Sequence, residues 1–198
     1  MVIVFDEKGQ MHTLEGVAAA TIMLLVIVYA IDATSMTPLT SSTANVHVET
    51  ELQVLGQDIL GSLDYAEPGY NSNLTNDILG WNGKEYIWDG TSYMEKGNAS
   101  YSQNNLTNNL TNSLKYTLIK QGIAHSVELT FLANDGTSLV TQKMIDNGNP
   151  SDNAVIVSRK IALHNSDHPN AGNIQLTDID PSTDLYNIVD VKLILWRM

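Results

Sequence analysis

The sequence predicts an α+β protein in which a long N-terminal transmembrane helix, kinked near Pro38, continues into an amphipathic helix packed on a mainly antiparallel four-stranded sheet. Three observations carry this expectation. Gly16–Ile31 is an unbroken run without a charged side chain. Val48, Leu52, Leu55, Ile59 and Leu63 recur at spacings of three and four, the pattern of one buried helical face. The C-terminal part carries four runs in which apolar residues alternate with polar ones, the period of a half-buried strand.

Composition narrows the function classes. The 198 residues include 22 Asp and Glu against 10 Lys and Arg, a formal charge of -12. A phosphate backbone is repelled by such a surface, which sets nucleic acid aside as a partner. Cysteine is absent, so disulfides, thiolate metal sites and cysteine nucleophiles are excluded, and stability must come from packing. Beyond the apolar run roughly 160 residues remain, enough for one domain with its own core.

As a helix, Gly16–Ile31 covers roughly 24 Å of a ~30 Å hydrocarbon layer, and the Met11–Leu14 flank supplies the missing turn. Lys8 is the last basic residue before Lys84, which places the bulk of the chain on the outer side of a membrane. A plain signal anchor satisfies these facts. So does a cleaved secretory signal, with Ile31-Asp32-Ala33 as a loose cleavage pattern. A third reading accounts for more residues: Lys8-Gly9-Gln10 precedes the run, and Glu15 sits at its first turn. A carboxylate at the edge of hydrocarbon is costly unless it is paired or reaches the headgroup layer.

This arrangement resembles the class III signal of archaeal type IV pilins and archaellum subunits. The resemblance implies that a dedicated membrane peptidase cuts between Gly9 and Gln10, that the apolar helix is retained for assembly, and that the new amino group meets Glu15 of its own or a neighbouring subunit. Many such pilins read Gln-x-Ser-x-Glu from the cut, whereas Glu15 lies one residue later, and the leader carries Asp6 and Glu7. His12–Glu15, Thr37-Pro38-Leu39 with Ser41-Ser42-Thr43, and Val191–Arg197 resemble a narrower group of archaeal pilin-like membrane proteins. The implied organisation is a leader over 1–9, a transmembrane and assembly helix over 10–36, and an extracellular domain over 37–198, with a type IV pilin-like fold.

Along the rest of the chain, Pro38 removes a helical hydrogen bond and disfavours helix at Thr37, so a kink is expected there. The amphipathic helix ends at Gly61, Pro68 and Gly69. Asn82-Gly83 and Asp89-Gly90 flank Lys84–Asp89, a small hairpin-like excursion. Its Trp81, Tyr86 and Trp88 offer either a sugar platform or a satellite core. Acceptor sequons stand at Asn73, Asn98, Asn105 and Asn109, to be read as glycosylation sites or as ordinary polar surface. Leu106, Leu110, Leu114 and Leu118 form an i, i+4 stripe that puts Asn105 and Asn109 on one helix flank. The four strand runs are Ser126–Ala133, Ser138–Ile145 after an Asp135-Gly136 turn, Val155–Leu163, and Val189–Trp196.

Catalytic patterns are thin. His164 and His168 flank a loop, so helical metal-ligand spacing does not apply, and Ser166-Asp167-His168 is proximity in sequence, not a spatial triad. Asp178, Asp180 and Asp184 resemble an oxygen-rich calcium loop but lack its glycine and bidentate glutamate, and a solvated acidic turn is the simpler reading. No cofactor is expected. The expected function is a structural subunit or minor component of an archaeal type IV pilus-like surface filament, held in the cell membrane as a single-pass protein with its domain outside, and serving adhesion. Its expected partners are copies of itself or other pilins, the prepilin peptidase and assembly machinery, and the membrane. The alternative is a membrane-anchored extracellular binding module that never polymerises. A tethered hydrolase resting on His164, Asp167 and His168 is a third class.

Overall fold

The computed structural model describes residues 15–27, 38–97, 105–133, 135–167 and 176–197, with backbone alone over 38–44. The chain divides into two compact units, Met1–His47 and Val48–Met198. The first holds helix α1 over 15–27 and the opening turns of α2, Pro38–Leu63.

Among the described residues no helix is long and apolar enough to cross a membrane. This corrects the expected transmembrane helix and, with it, the single-pass membrane placement. Among the described residues, apolarity and length reside in different elements. Helix α1 has the composition, but its described residues cover ~20 Å of the ~30 Å a bilayer core demands. Helix α2 has the length, 26 residues, but carries Glu49, Glu51 and Asp58. Pro38 is the first residue of α2, where its missing N–H costs nothing because first-turn donors have no helical acceptor. Thr37 and residues 28–31 lie outside the described residues.

The second unit is built on one sheet of seven strands: β1 Tyr86–Trp88, β2 Tyr93–Glu95, β3 Asn105–Leu106, β4 Ile123–Leu132, β5 Leu139–Asp146, β6 Val155–His164 and β7 Leu185–Arg197. Their order is β3-β2-β1-β5-β4-β7-β6. The sheet is mixed, because β1 runs parallel to β5 through Tyr86↔Ile145 while the other pairs are antiparallel. The expected four-stranded, pilin-like sheet is therefore corrected. Its four alternating runs form the antiparallel portion β5-β4-β7-β6, and three more strands extend it. Those three have only two or three residues each, too few for a period of two to stand out in sequence.

Tight turns follow the Asp-Gly pairs. Asp89 Oδ1 accepts from the backbone N–H groups of Thr91 and Ser92 at 2.7 and 2.8 Å between β1 and β2, and Gly90 takes φ +103, a conformation with little cost only for glycine. Asp135 Oδ1 does the same for Thr137 and Ser138 between β4 and β5.

One sheet face carries the core. Val127, Leu129 and Phe131 of β4 and Val189, Val191, Leu193 and Leu195 of β7 are buried, each contributing about 1.5–3 kcal/mol relative to exposure. Helix α2 adds Leu52, Ile59, Leu60 and Leu63, with Val48 and Leu55 packed at the margin. Gly56 lets the helix come close. A Cβ at that position would lie 2.8 Å from Val157 Cγ2 and 3.0 Å from Leu195 Cδ1.

Two shorter helices complete the core. Helix α3, Asn73–Leu79, is capped by the Ser72 hydroxyl, which accepts from Thr75 N at 3.1 Å. Helix α4, Asn109–Thr117, starts at a reciprocal capping box: Thr111 N donates to Asn108 Oδ1 at 2.8 Å, and Asn108 N donates to Thr111 Oγ1 at 2.9 Å. This box starts the helix about one turn later than the expected stripe. Leu110, Leu114 and Leu118 are buried, but Leu106 and Asn105 belong to β3, so Asn105 and Asn109 share no helix flank.

The start of α4 is tied to α3 by Asp77. Its Oδ2 accepts from Leu110 N at 2.7 Å and its Oδ1 from Asn109 N at 3.3 Å. Burial pushes the Asp77 carboxyl above its ordinary value, partly offset by those N–H groups.

Substitutions on α2 separate close approach from helix propensity. Gly61 has nothing within 4 Å of its missing Cβ, so Gly61→Ala should stabilise by about 0.5–1 kcal/mol. Gly56→Ala gains the same propensity but must displace the stiff Val157 side chain, and a net loss of about 1–2 kcal/mol is expected. Urea denaturation of both variants checks the contrast.

Asp77→Ala should cost about 1–3 kcal/mol, since it strands the buried Leu110 N–H. Asp77→Asn, with one acceptor left, should cost less. Because the folded-state pKa lies above the unfolded value of 3.8, what this carboxyl contributes is fully present below that value and declines as pH rises through the folded one. The wild-type advantage over Asp77→Ala should thus widen on acidification, which urea titrations at several pH values will measure.

Candidate functional site

Two features stand apart from the packed core. The first is helix α1, opened by Glu15 as its first described residue. Every residue over 15–27 is exposed, including Val17, Ile22, Met23, Leu24, Leu25, Val26 and Ile27. Thr21, its one hydroxyl, donates to the Val17 carbonyl at 2.8 Å and so needs no outside partner. Gly9 and Gln10, the expected cleavage pair, lie outside the described residues.

The second feature is a notch where the sheet opens. Strand β4 pairs with β7 from Ile123 onward but with β5 only from Ser126, and β1 meets β5 at Tyr86 alone. Residues 123–125 therefore have no strand partner on the β5 side, and Asn147 bridges the gap. Its Oδ1 accepts from Trp88 N and its Nδ2 donates to the His125 carbonyl, both at 2.8 Å. A cavity of about 240 Å³ remains, lined by Ile87, Trp88, Ile119, Ile123, Ala124, His125 and Asn147.

His125 is the chemically distinctive wall residue. It is 1% exposed, and its Nε2 lies 2.8 Å from the Tyr93 hydroxyl. Burial holds its pKa down to about 4, opposed in part by the Ile123 backbone, so the ring is neutral at pH 7. Its Nδ1 is buried and makes no hydrogen bond of normal geometry. Tyr93 is itself buried, and desolvation pushes its hydroxyl well above the ordinary value. The Trp88 ring stands 5.1 Å from that of Tyr93, and Lys115 Nζ lies 5.5 Å from the Trp88 centroid. Sequence reading passed over His125 because a lone histidine in a strand has no spacing signal. Of the aromatic trio, Trp81 and Tyr86 are buried and serve the core, and only Trp88 reaches the notch.

The other sequence-flagged residues are dispersed. Asn73, Asn105 and Asn109 are exposed, although the Asn109 amide donates to Asp77 Oδ1 at 3.4 Å, and Asn98 lies outside the described residues. His164 Nδ1 faces Asp184 at 3.4 Å, while Asp167 accepts from His164 N at 2.7 Å and from Asn71 Nδ2 at 3.1 Å. Asp167 thus closes a turn and does not orient an imidazole for Ser166, as a hydrolytic relay would require. His168 is outside the described residues. In the acidic loop, Asp178 accepts from Asp180 N. Asp180 accepts from the hydroxyl and backbone of Ser182, which hold its carboxyl below the usual range. Among the described residues no cluster of three or more His, Asp or Glu side chains is placed to hold a metal ion.

No curated protein and no solved structure matches the chain. A family model does, over residues 8–195, from ahead of α1 to within two residues of the end of β7. The match takes in the apolar helix, the capped helices and nearly all of the sheet, and the chain belongs to DUF7288, a family of unknown function.

Proposed function

We propose that this chain is a structural subunit that assembles with copies of itself through helix α1. The exposure of that helix on every side carries the reading: its seven large apolar side chains are each 52–69% exposed. A helix apolar all round is stable only when it is covered, and a single neighbour covers one stripe, so several copies must contribute. Covering seven such side chains releases on the order of 10–20 kcal/mol before association costs. Gly16 with Ala18, Ala19 and Ala20 lets backbones approach closely. The resemblance to archaeal type IV pilins supports the same role, since there the retained apolar helix forms the filament core, and the amino group of Gln10 would meet Glu15 within the assembly. The subunit acts through its shape and contacts and performs no chemistry.

Sedimentation and negative-stain electron microscopy of the full chain test the assembly. The wild type should form multi-subunit particles or filaments, and Leu24→Glu with Leu25→Glu should reduce them to monomers with an unchanged circular dichroism melt. A wild type that stays monomeric at high concentration, or charged variants that assemble normally, would remove the proposal.

Processing is tested separately by mass spectrometry of the mature N-terminus in the source cells. The expected first residue is Gln10. A chain beginning at Met1, with no Gln10 product, would sink the processing step and leave the assembly reading to stand on its own measurement.

A further inference from the structure

We propose that the groove between strand β6 and the connection from α2 to α3 is a binding site for a neutral, hydroxyl-rich single ring, a monosaccharide unit. The order of the sheet leaves β6 at its edge, paired only with β7. Lys160, Ile161 and Ala162 all line the groove, although alternate side chains of a strand point to opposite faces. The groove therefore runs along the outer edge of β6, where a strand presents N–H and C=O groups in a row. Its other side is the loop after α2, where Tyr70 N donates to the Glu67 carbonyl at 3.1 Å and closes a turn. Tyr70 lines the groove and is 75% exposed. Two side-chain bonds join the two sides: Arg159 Nε donates to Asp64 Oδ2 at 2.6 Å, and Asn71 Nδ2 donates to Asp167 Oδ1 at 3.1 Å.

The polar capacity left in the lining residues defines the ligand. Lys160 has no hydrogen bond or ion pair among the described residues, and its ammonium group carries three donors. Asp64 accepts from Ser72 and Arg159, and Asp167 from Asn71 and the His164 backbone. A carboxylate has about four acceptor sites, so each keeps room for more, and Asn71 adds an amide oxygen and a second N–H. A hydroxyl donates and accepts at once, so neighbouring hydroxyls on one ring serve the carboxylates and the ammonium group together. An anion would instead meet two carboxylates, and among the described residues no cluster of three acidic or histidine side chains is placed for a metal ion. Tyr70 supplies a flat apolar face for the C–H side of such a ring. The cavity, about 230 Å³, falls below the roughly 300–1,000 Å³ of sites that hold drug-sized molecules, so one ring is the appropriate size. The site is independent of helix α1 and of whether the chain assembles.

The test is saturation-transfer NMR with the full wild-type chain, which reads the ligand's own signals and so works on a monomer and on a large assembly alike. The probes are the methyl glycosides of glucose, galactose and mannose, with 2-methoxytetrahydropyran as the same ring stripped of its hydroxyls. At least one glycoside should show saturable transfer and bind about tenfold more tightly than the stripped ring, the worth of a few hydrogen bonds. Tyr70→Ala and Lys160→Met, both at exposed positions, should each weaken binding about fivefold with an unchanged circular dichroism melt. No saturable transfer to any of the glycosides would overturn the site, and equal affinity for the stripped ring would overturn hydroxyl recognition. Unchanged binding by both variants would place the sugar elsewhere and overturn the groove. A disaccharide ending in the preferred ring separates the two sources of such a unit: affinity equal to the methyl glycoside assigns the groove to the end of a glycan, and exclusion assigns it to a free sugar.

Discussion

The close approach of α2 to the sheet at Gly56 is the contact on which the folded unit depends. Helix α2 meets the sheet through a glycine, and a Cβ at position 56 would already crowd Val157 and Leu195. Without that proximity Leu52, Ile59, Leu60 and Leu63 would stand off from β6 and β7 and lose the van der Waals contacts that make close packing favourable. The ion pairs Arg159–Asp64 at 2.6 Å and Arg197–Glu51 at 2.9 Å flank the same contact at the surface. Exposed pairs of this kind contribute little. They follow from the packing and do not cause it.

Where the backbone ladder fails, side chains replace it. Asn147 bridges β1 and β4, Asp77 supplies acceptors to the first turn of α4, and Asn187 Nδ2 donates to the carbonyls of Leu132 and Thr177 at 3.0 and 2.9 Å. Each answers the requirement that buried backbone groups be paired. The notch at His125 is where this substitution stops short. Asn147 satisfies the backbone on either side of the gap but does not fill it, and the buried His125 imidazole is bonded to Tyr93 through Nε2. Among the described residues, His125 Nδ1 shares with Gln142 Oε1, Thr177 Oγ1 and Asp190 Oδ1 the lack of a hydrogen bond of normal geometry.

Helix α1 differs. Its Thr21 hydroxyl is bonded within the helix, and its large apolar side chains are exposed. The same chain therefore joins a helix whose apolar side chains are exposed to a domain with a buried core of its own. The family match covers residues 8–195 and so takes in both the helix and the sheet.

Local periodicity is what the sequence by itself determined: the alternation in β4, β5, β6 and β7, the apolar spacing of α2, the Asp-Gly turns, and the apolar character of α1. These depend on near neighbours in the chain, which is why they can be read along it. Elsewhere the reading failed for identifiable reasons. Leu106 fitted a helical spacing, but the Asn108–Thr111 cap begins the helix after it, and a two-residue strand carries no pattern to compete. The apolar run over 16–31 was read as a span of bilayer length, whereas its described part is too short to cross a membrane and the long helix is the charged α2. The sheet's full width, its one parallel pair, the placement of Gly56 and the notch around His125 were decided only by the tertiary structure. Each arises from segments distant in sequence, and neither the divergence of β1 from β5 nor the burial of the His125 imidazole leaves a spacing signature, because both exist only once β1, β4 and β5 meet.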